Sequence, residues 1–174
     1  PDLPILPDEA LDMLRSLCKK EHPNIIIGTS MGGMFAGQLR GYRKILVNPA
    51  FHVSEFMRTQ IGVHEFLNPR QDGKTQYEIT SELCDAYQAI EKCQFEDLSP
   101  FDQNKTYALF GKNDTLVHGH DEFIAHYKKD NARWFEGEHR LNFEITKDIV
   151  VPLIHKIMKE EIKEKLLSSP LFNL

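Results

Sequence analysis

Residues 24–39 read NIIIGTSMGGMFAGQL: three isoleucines run into Gly28-Thr29-Ser30-Met31-Gly32, and an apolar stretch follows. The short apolar run predicts a strand buried on both faces of a sheet. The stretch after it predicts a helix over residues 32–39, closed by Arg40-Gly41. Between them the chain must reverse within a few residues. Strand and helix nearly touch at such a junction, so Gly28 and Gly32 are expected to be small for want of space. The serine between them is expected in a strained backbone conformation, its hydroxyl exposed at the carboxyl end of the strand. The first amides of the helix have no intrahelical partner and lie beside that hydroxyl.

The rest of the chain repeats the alternation. Pro7-Asp8 predicts a helix start with Asp8 as N-cap, followed by an apolar stripe of Leu11, Leu14, Leu17 and Cys18 that ends at His22-Pro23. Further strands are predicted at Lys44–Val47, residues 105–110 and Ala132–Phe135, stopped by Asn48-Pro49, Gly111 and Glu136-Gly137. Helices are predicted over 121–129 and 143–167, the latter amphipathic in KIMKEEIKEKLL. Residues 50–100 differ: scattered aromatics, a turn region NPRQDGKTQ, a helix over 77–93 and no predicted strand. Strands alternating with helices predict a mostly parallel sheet covered on both faces, an α/β three-layer sandwich. The 174 residues suit one domain, residues 1–174, with about 50–100 as a helical, cap-like insertion over one end of the sheet. The opening PDLPILPDEA reads as an extended exit from something earlier, so one or more N-terminal strands are expected to be missing from this chain.

Strand, Gly-x-Ser-x-Gly and helix together form the setting of a nucleophile elbow. A dinucleotide site would need Gly-x-Gly, where position 30 is serine, and a phosphate-binding Walker loop would need Gly-Lys-Ser/Thr, which is absent. A serine hydroxyl attacks only once a base takes its proton, and a histidine base must be held in one tautomer by a carboxylate. In α/β-hydrolases the three follow in the order Ser, Asp or Glu, His. Asp114 in FGKNDTLV follows the third strand and meets the requirement for the acid; Asp102 precedes that strand, at the wrong edge. His139 in FEGEHR follows the fourth strand and meets the requirement for the base. His22, His52, His64, His126 and His155 lie before a strand, in the insertion or within helices. The Met31 N–H is the expected oxyanion donor. Phe51, Phe56, Phe66 and Phe95 are candidate acyl-pocket residues, against the simpler expectation that they pack the cap.

Composition narrows the alternatives. A formal net charge of -5 argues against nucleic acid as a partner, and no apolar run approaches the ~20 residues that span a bilayer. His118 and His120 with Asp121 fall short of the three or four convergent ligands of a zinc site, so neither a metal nor any other cofactor is expected. Cys18, Cys84 and Cys93 are odd in number, and Cys84 and Cys93 on one helix would face opposite ways. A reduced, cytoplasmic protein is expected.

With these residues placed, the chain resembles the YqiA/YcfP-like esterase family of small bacterial α/β-hydrolases. The resemblance rests on PDLPILPDEALDML, GTSMGG, KILVNPAF, FGKNDTLV and FEGEHR. VNPA, directly after the second strand, is the most family-specific piece, because hydrolases in general do not need it. The resemblance implies hydrolysis of carboxylic esters or thioesters through an acyl-enzyme on Ser30, with Asp114 as acid and His139 as base; a small or medium acyl ester is the expected substrate. Two departures are noted. Family members carry a strand and a His-Gly-Phe-like loop upstream that supply a second oxyanion donor. Glu138 also stands beside the histidine, where a small or polar residue is expected. An acyltransferase using the same serine, or a non-catalytic binding protein on this fold, are the alternatives.

Overall fold

The computed structural model of the chain describes residues 1–167. Helix α1 (Pro7–Glu21) leads to β1 (Ile26–Thr29), α2 (Met31–Gly37) and β2 (Lys44–Val47). An inserted segment follows: α3 (Val53–Arg58), β3 (Gly62–Glu65), β4 (Gln76–Ile79) and α4 (Ser81–Lys92). The alternation then resumes with α5 (Pro100–Lys105), β5 (Thr106–Gly111), α6 (His120–His126) and β6 (Ala132–Phe135). It closes with α7 (Phe143–Ile145), one π-helical turn and α8 (Val151–Leu167).

The main sheet has the order β1-β2-β5-β6, every pair parallel. Parallel pairing requires crossovers, and the helices that make them cover both faces. Side chains therefore divide with a period of two. Ile45 and Val47 of β2 join Tyr107 and Leu109 of β5 under Leu153 and Ile157 of α8. Leu46, Ala108 and Phe110 point the other way, onto Ala36, Phe123 and Tyr127. A third apolar cluster ties α1, α2 and the insertion together through Leu11, Phe35, Met57, Leu83 and Tyr87. The result is the expected mostly parallel sheet flanked by helices. Among the described residues, no helix is long and apolar enough to cross a membrane.

Four local expectations are corrected. The N-cap of α1 is Leu6, without a side-chain cap; Pro7 takes the first helical position, where its missing N–H costs nothing, and Asp8 lies in the first turn. Strand β1 is not buried on both faces: it lies at the edge of the described sheet, and Ile27 is 42% exposed. The insertion is not purely helical. It holds an antiparallel hairpin, β3 with β4, in which Phe66 and His64 pack on Tyr77 and Arg70 lies over the Phe66 ring. Residues 77–79 belong to this hairpin, and the helix starts at Ser81, because the Thr80 hydroxyl caps it by accepting from the Leu83 N–H at 3.1 Å.

Candidate active site

The carboxyl ends of β1, β2, β5 and β6 form one rim, and the candidate site is built on it. Ser30 follows β1 with φ 53° and ψ -123°, a conformation that L-residues avoid and that costs ~1–3 kcal/mol. The surroundings fix it. The Ser30 N–H donates to the Val47 carbonyl at 2.9 Å, and the Ser30 carbonyl accepts from Gly33 at 2.9 Å and from Ala50 at 3.1 Å. Gly28 is required for the reason expected: a Cβ there would lie 2.1 Å from the Gly32 carbonyl oxygen. Gly32 itself is not squeezed, since a Cβ on it would meet open space. The second tight position is Gly33, against Pro49. The elbow thus packs through Gly28 and Gly33, and Gly32 serves by bringing its backbone close.

Asp114 sits in the loop after β5 and His139 in the loop after β6. The two loops are joined by backbone: Lys112 N–H donates to the Phe135 carbonyl and Asn113 N–H to the Gly137 carbonyl, both at 3.0 Å. Gly111 lets them approach, because a Cβ there would lie 2.7 Å from the carbonyl oxygens of Gly137 and Glu138. Asp114 is buried, and its Oδ1 accepts from the amides of Leu116 at 2.8 Å and Val117 at 3.1 Å. Its Oδ2 lies 2.8 Å from His139 Nδ1, and His139 Nε2 lies 2.9 Å from Ser30 Oγ. A carboxylate only accepts, so Nδ1 carries the proton and donates to Asp114; Nε2 of the neutral ring then accepts from the Ser30 hydroxyl. The three residues singled out from sequence therefore lie in one hydrogen-bonded line, although 109 positions separate Ser30 from His139.

Met31 opens α2, so its amide precedes the first helical hydrogen bonds, which start at Gly33 and Met34. Met31 also lines a second cavity. Glu138 is exposed, and its backbone carbonyl accepts from the Asn48 side chain.

A cavity of about 430 Å³ opens over Ser30 and His139, with Phe51, Val53, Phe56, Leu116 and Val117 among its apolar lining and His52, Glu55, His118 and Glu122 among its polar lining. An adjoining cavity of about 460 Å³ shares Val53 and Phe56 and adds Met31, Phe66, Leu83 and Tyr87. Of the four phenylalanines, Phe51, Phe56 and Phe66 line these spaces. Phe95 does not: it is stacked on His126 at 4.0 Å and edge-on to Phe51 in the core. The polar wall is not legible in the sequence, because His52 at the cap of α3, Glu55 within α3 and Glu122 of α6 share no local motif. Among the described residues, no three His, Cys, Asp or Glu side chains converge to hold a metal ion. His120 instead packs against Trp134 at 4.9 Å and pairs with Asp121.

The fold is that of several solved hydrolases. Est1E from Butyrivibrio proteoclasticus superposes with a TM-score of 0.60 at 14% identity, over 88% of this chain and 71% of that one. The monoacylglycerol lipase of Paleococcus ferrophilus gives 0.57 at 12% identity, over 88% and 75%. The α/β hydrolase domain-containing protein 10 from mouse gives 0.55 at 11% identity, over 88% and 70%. At such identities the likeness establishes the α/β-hydrolase fold. No curated protein matches the chain. A family model described as an uncharacterised protein family, UPF0227, matches residues 1–149, and with the YqiA/YcfP-like motifs in place the chain belongs to that family.

Proposed function

We propose that the protein is a serine hydrolase that cleaves small or medium acyl esters through an acyl-enzyme on Ser30. The observation that carries this reading is the unbroken line from Ser30 Oγ through His139 to Asp114, with both links shorter than 3 Å. His139 Nε2 takes the Ser30 proton as Oγ attacks the ester carbonyl. Asp114 stabilises the imidazolium that forms, and the Met31 N–H donates to the developing oxyanion. His139 then returns the proton to the leaving alcohol. Water, deprotonated by the same nitrogen, releases the acid. The apolar wall of Phe51, Val53 and Phe56 suits the acyl chain, and the polar wall of His52, Glu55 and Glu122 suits a hydrophilic alcohol. Free thiols at Cys18, Cys84 and Cys93 fit a cytoplasmic setting.

The test is hydrolysis of p-nitrophenyl acetate and butyrate together with labelling by a fluorophosphonate. The wild type is expected to turn over both esters and to be labelled at Ser30. Ser30→Ala is expected to lose labelling and ~10⁶ in turnover. Turnover that survives in Ser30→Ala would overturn the reading.

A further inference from the structure

The Asn48-Pro49-Ala50 segment takes no part in the proton relay, yet it bonds to the backbone of two of its members, Ser30 and His139. Asn48 is 2% exposed and has φ 43°, a left-handed conformation that asparagine accepts more readily than most residues. Its N–H donates to the Leu109 carbonyl at 2.9 Å, which fixes it to β5. Its Oδ1 accepts from the Gly111 N–H at 2.7 Å. Its Nδ2 donates to the carbonyls of Glu138 at 3.1 Å and His139 at 3.0 Å. Two residues later the Ala50 N–H donates to the Ser30 carbonyl at 3.1 Å, and between them Pro49 packs on Gly33, one turn into the nucleophile helix.

The backbone bonds that join the two acid and base loops stop at Gly137. The peptide carbonyls at positions 138 and 139 are held by the Asn48 amide. We infer that Asn48 is a positioning residue: it orients the peptide that carries the base, while Ala50 holds the peptide that carries the nucleophile, so that three consecutive residues set the distance between Ser30 Oγ and His139 Nε2. This role rests on the hydrolase reading above, and it accounts for why VNPA follows the second strand.

Two substitutions test it. Asn48→Gly keeps the left-handed backbone and removes all three side-chain bonds. Asn48→Asp keeps the acceptor for Gly111 and places an oxygen against two carbonyl oxygens. Asn131→Ala is the matched control, because Asn131 Nδ2 also bridges two carbonyls, those of Asn104 at 2.8 Å and Thr106 at 3.0 Å, at the opposite end of β5. Each protein is assayed with p-nitrophenyl butyrate, melted, and examined by proton NMR for the low-field resonance of the His139 Nδ1–H, below its melting temperature. Both Asn48 variants are expected to lose ~10²-fold in kcat, with KM changed by less than about twofold, and to lose or broaden that resonance. Asn131→Ala is expected to melt lower with kcat and resonance retained. Asn48 variants that keep both kcat and resonance overturn the proposal. So does an equal loss in Asn131→Ala, which would make the effect one of general destabilisation. If the wild type neither hydrolyses ester nor takes the label, the hydrolase reading fails by itself, and the resonance still decides whether Asn48 positions His139.

Discussion

The two ends of the sheet each hold a buried aspartate, and they use it differently. At the amino end Asp102 accepts from the Lys44 ammonium at 2.9 Å, the Gly41 N–H at 2.9 Å and the Ser99 hydroxyl at 2.6 Å. Lys44 donates again to the Leu39 carbonyl, and its side chain is 0% exposed. Burial pushes the Asp102 carboxyl up, but the Ser99 hydroxyl, Lys44 and the Gly41 amide outweigh it and hold it below the ordinary aspartate value. At the carboxyl end Asp114 accepts two backbone amides and one imidazole N–H. That imidazole is 17% exposed, and its other nitrogen faces a hydroxyl beside an open cavity. The carboxylates are alike; their partners are not. Where the partner ends the network inside protein, the pair locks the fold. Where the partner passes the network on to a reachable hydroxyl, the pair can move a proton.

Four substitutions sharpen or break this contrast. Ser30→Ala should remove ~10⁶ in kcat, equivalent to ~8 kcal/mol of transition-state stabilisation, and leave the urea midpoint unchanged. Asp102→Ala should do the reverse. It strands the Lys44 charge in the interior and should cost ~3–5 kcal/mol in urea unfolding, while the protein that remains folded keeps its kcat. An Asp102 variant that silenced turnover without loosening the fold would erase the distinction. Ser30→Gly should raise stability by ~1 kcal/mol while abolishing turnover, because glycine relieves the positive φ that serine endures. The smallest effect is on acid stability. The folded pKa of Asp102 lies below its unfolded value, so its contribution is complete above the ordinary aspartate range and is lost as pH falls through the lower, folded value. Asp102→Asn should flatten that acid limb in a series of urea titrations.

Much of this architecture is legible in the chain, for definite reasons. Strands β2 and β6 stand where predicted, and β5 is displaced by one residue, because a parallel sheet leaves uninterrupted apolar runs between turn residues. Ser30, Asp114 and His139 are legible because each lies within four residues of the carboxyl end of a strand. The hairpin is not. Gly62–Glu65 alternates between half-buried and exposed residues, and a ten-residue polar loop separates it from its partner strand. Its stability comes from aromatic contacts among His64, Phe66 and Tyr77, which leave no local period. Asn48 was visible as a motif, but the work of its amide was not, since both carbonyls it holds lie 90 positions downstream or more.

Trp134 is the only tryptophan in the chain. It is 52% exposed on β6, its indole lies 4.9 Å from the His120 ring, and it shares the wall of a cavity of about 310 Å³ with Asp114. The molecule therefore carries a single native indole beside the loop that holds Asp114. Its emission offers an optical record of that loop's rearrangements, free of background from any other indole and without an attached dye.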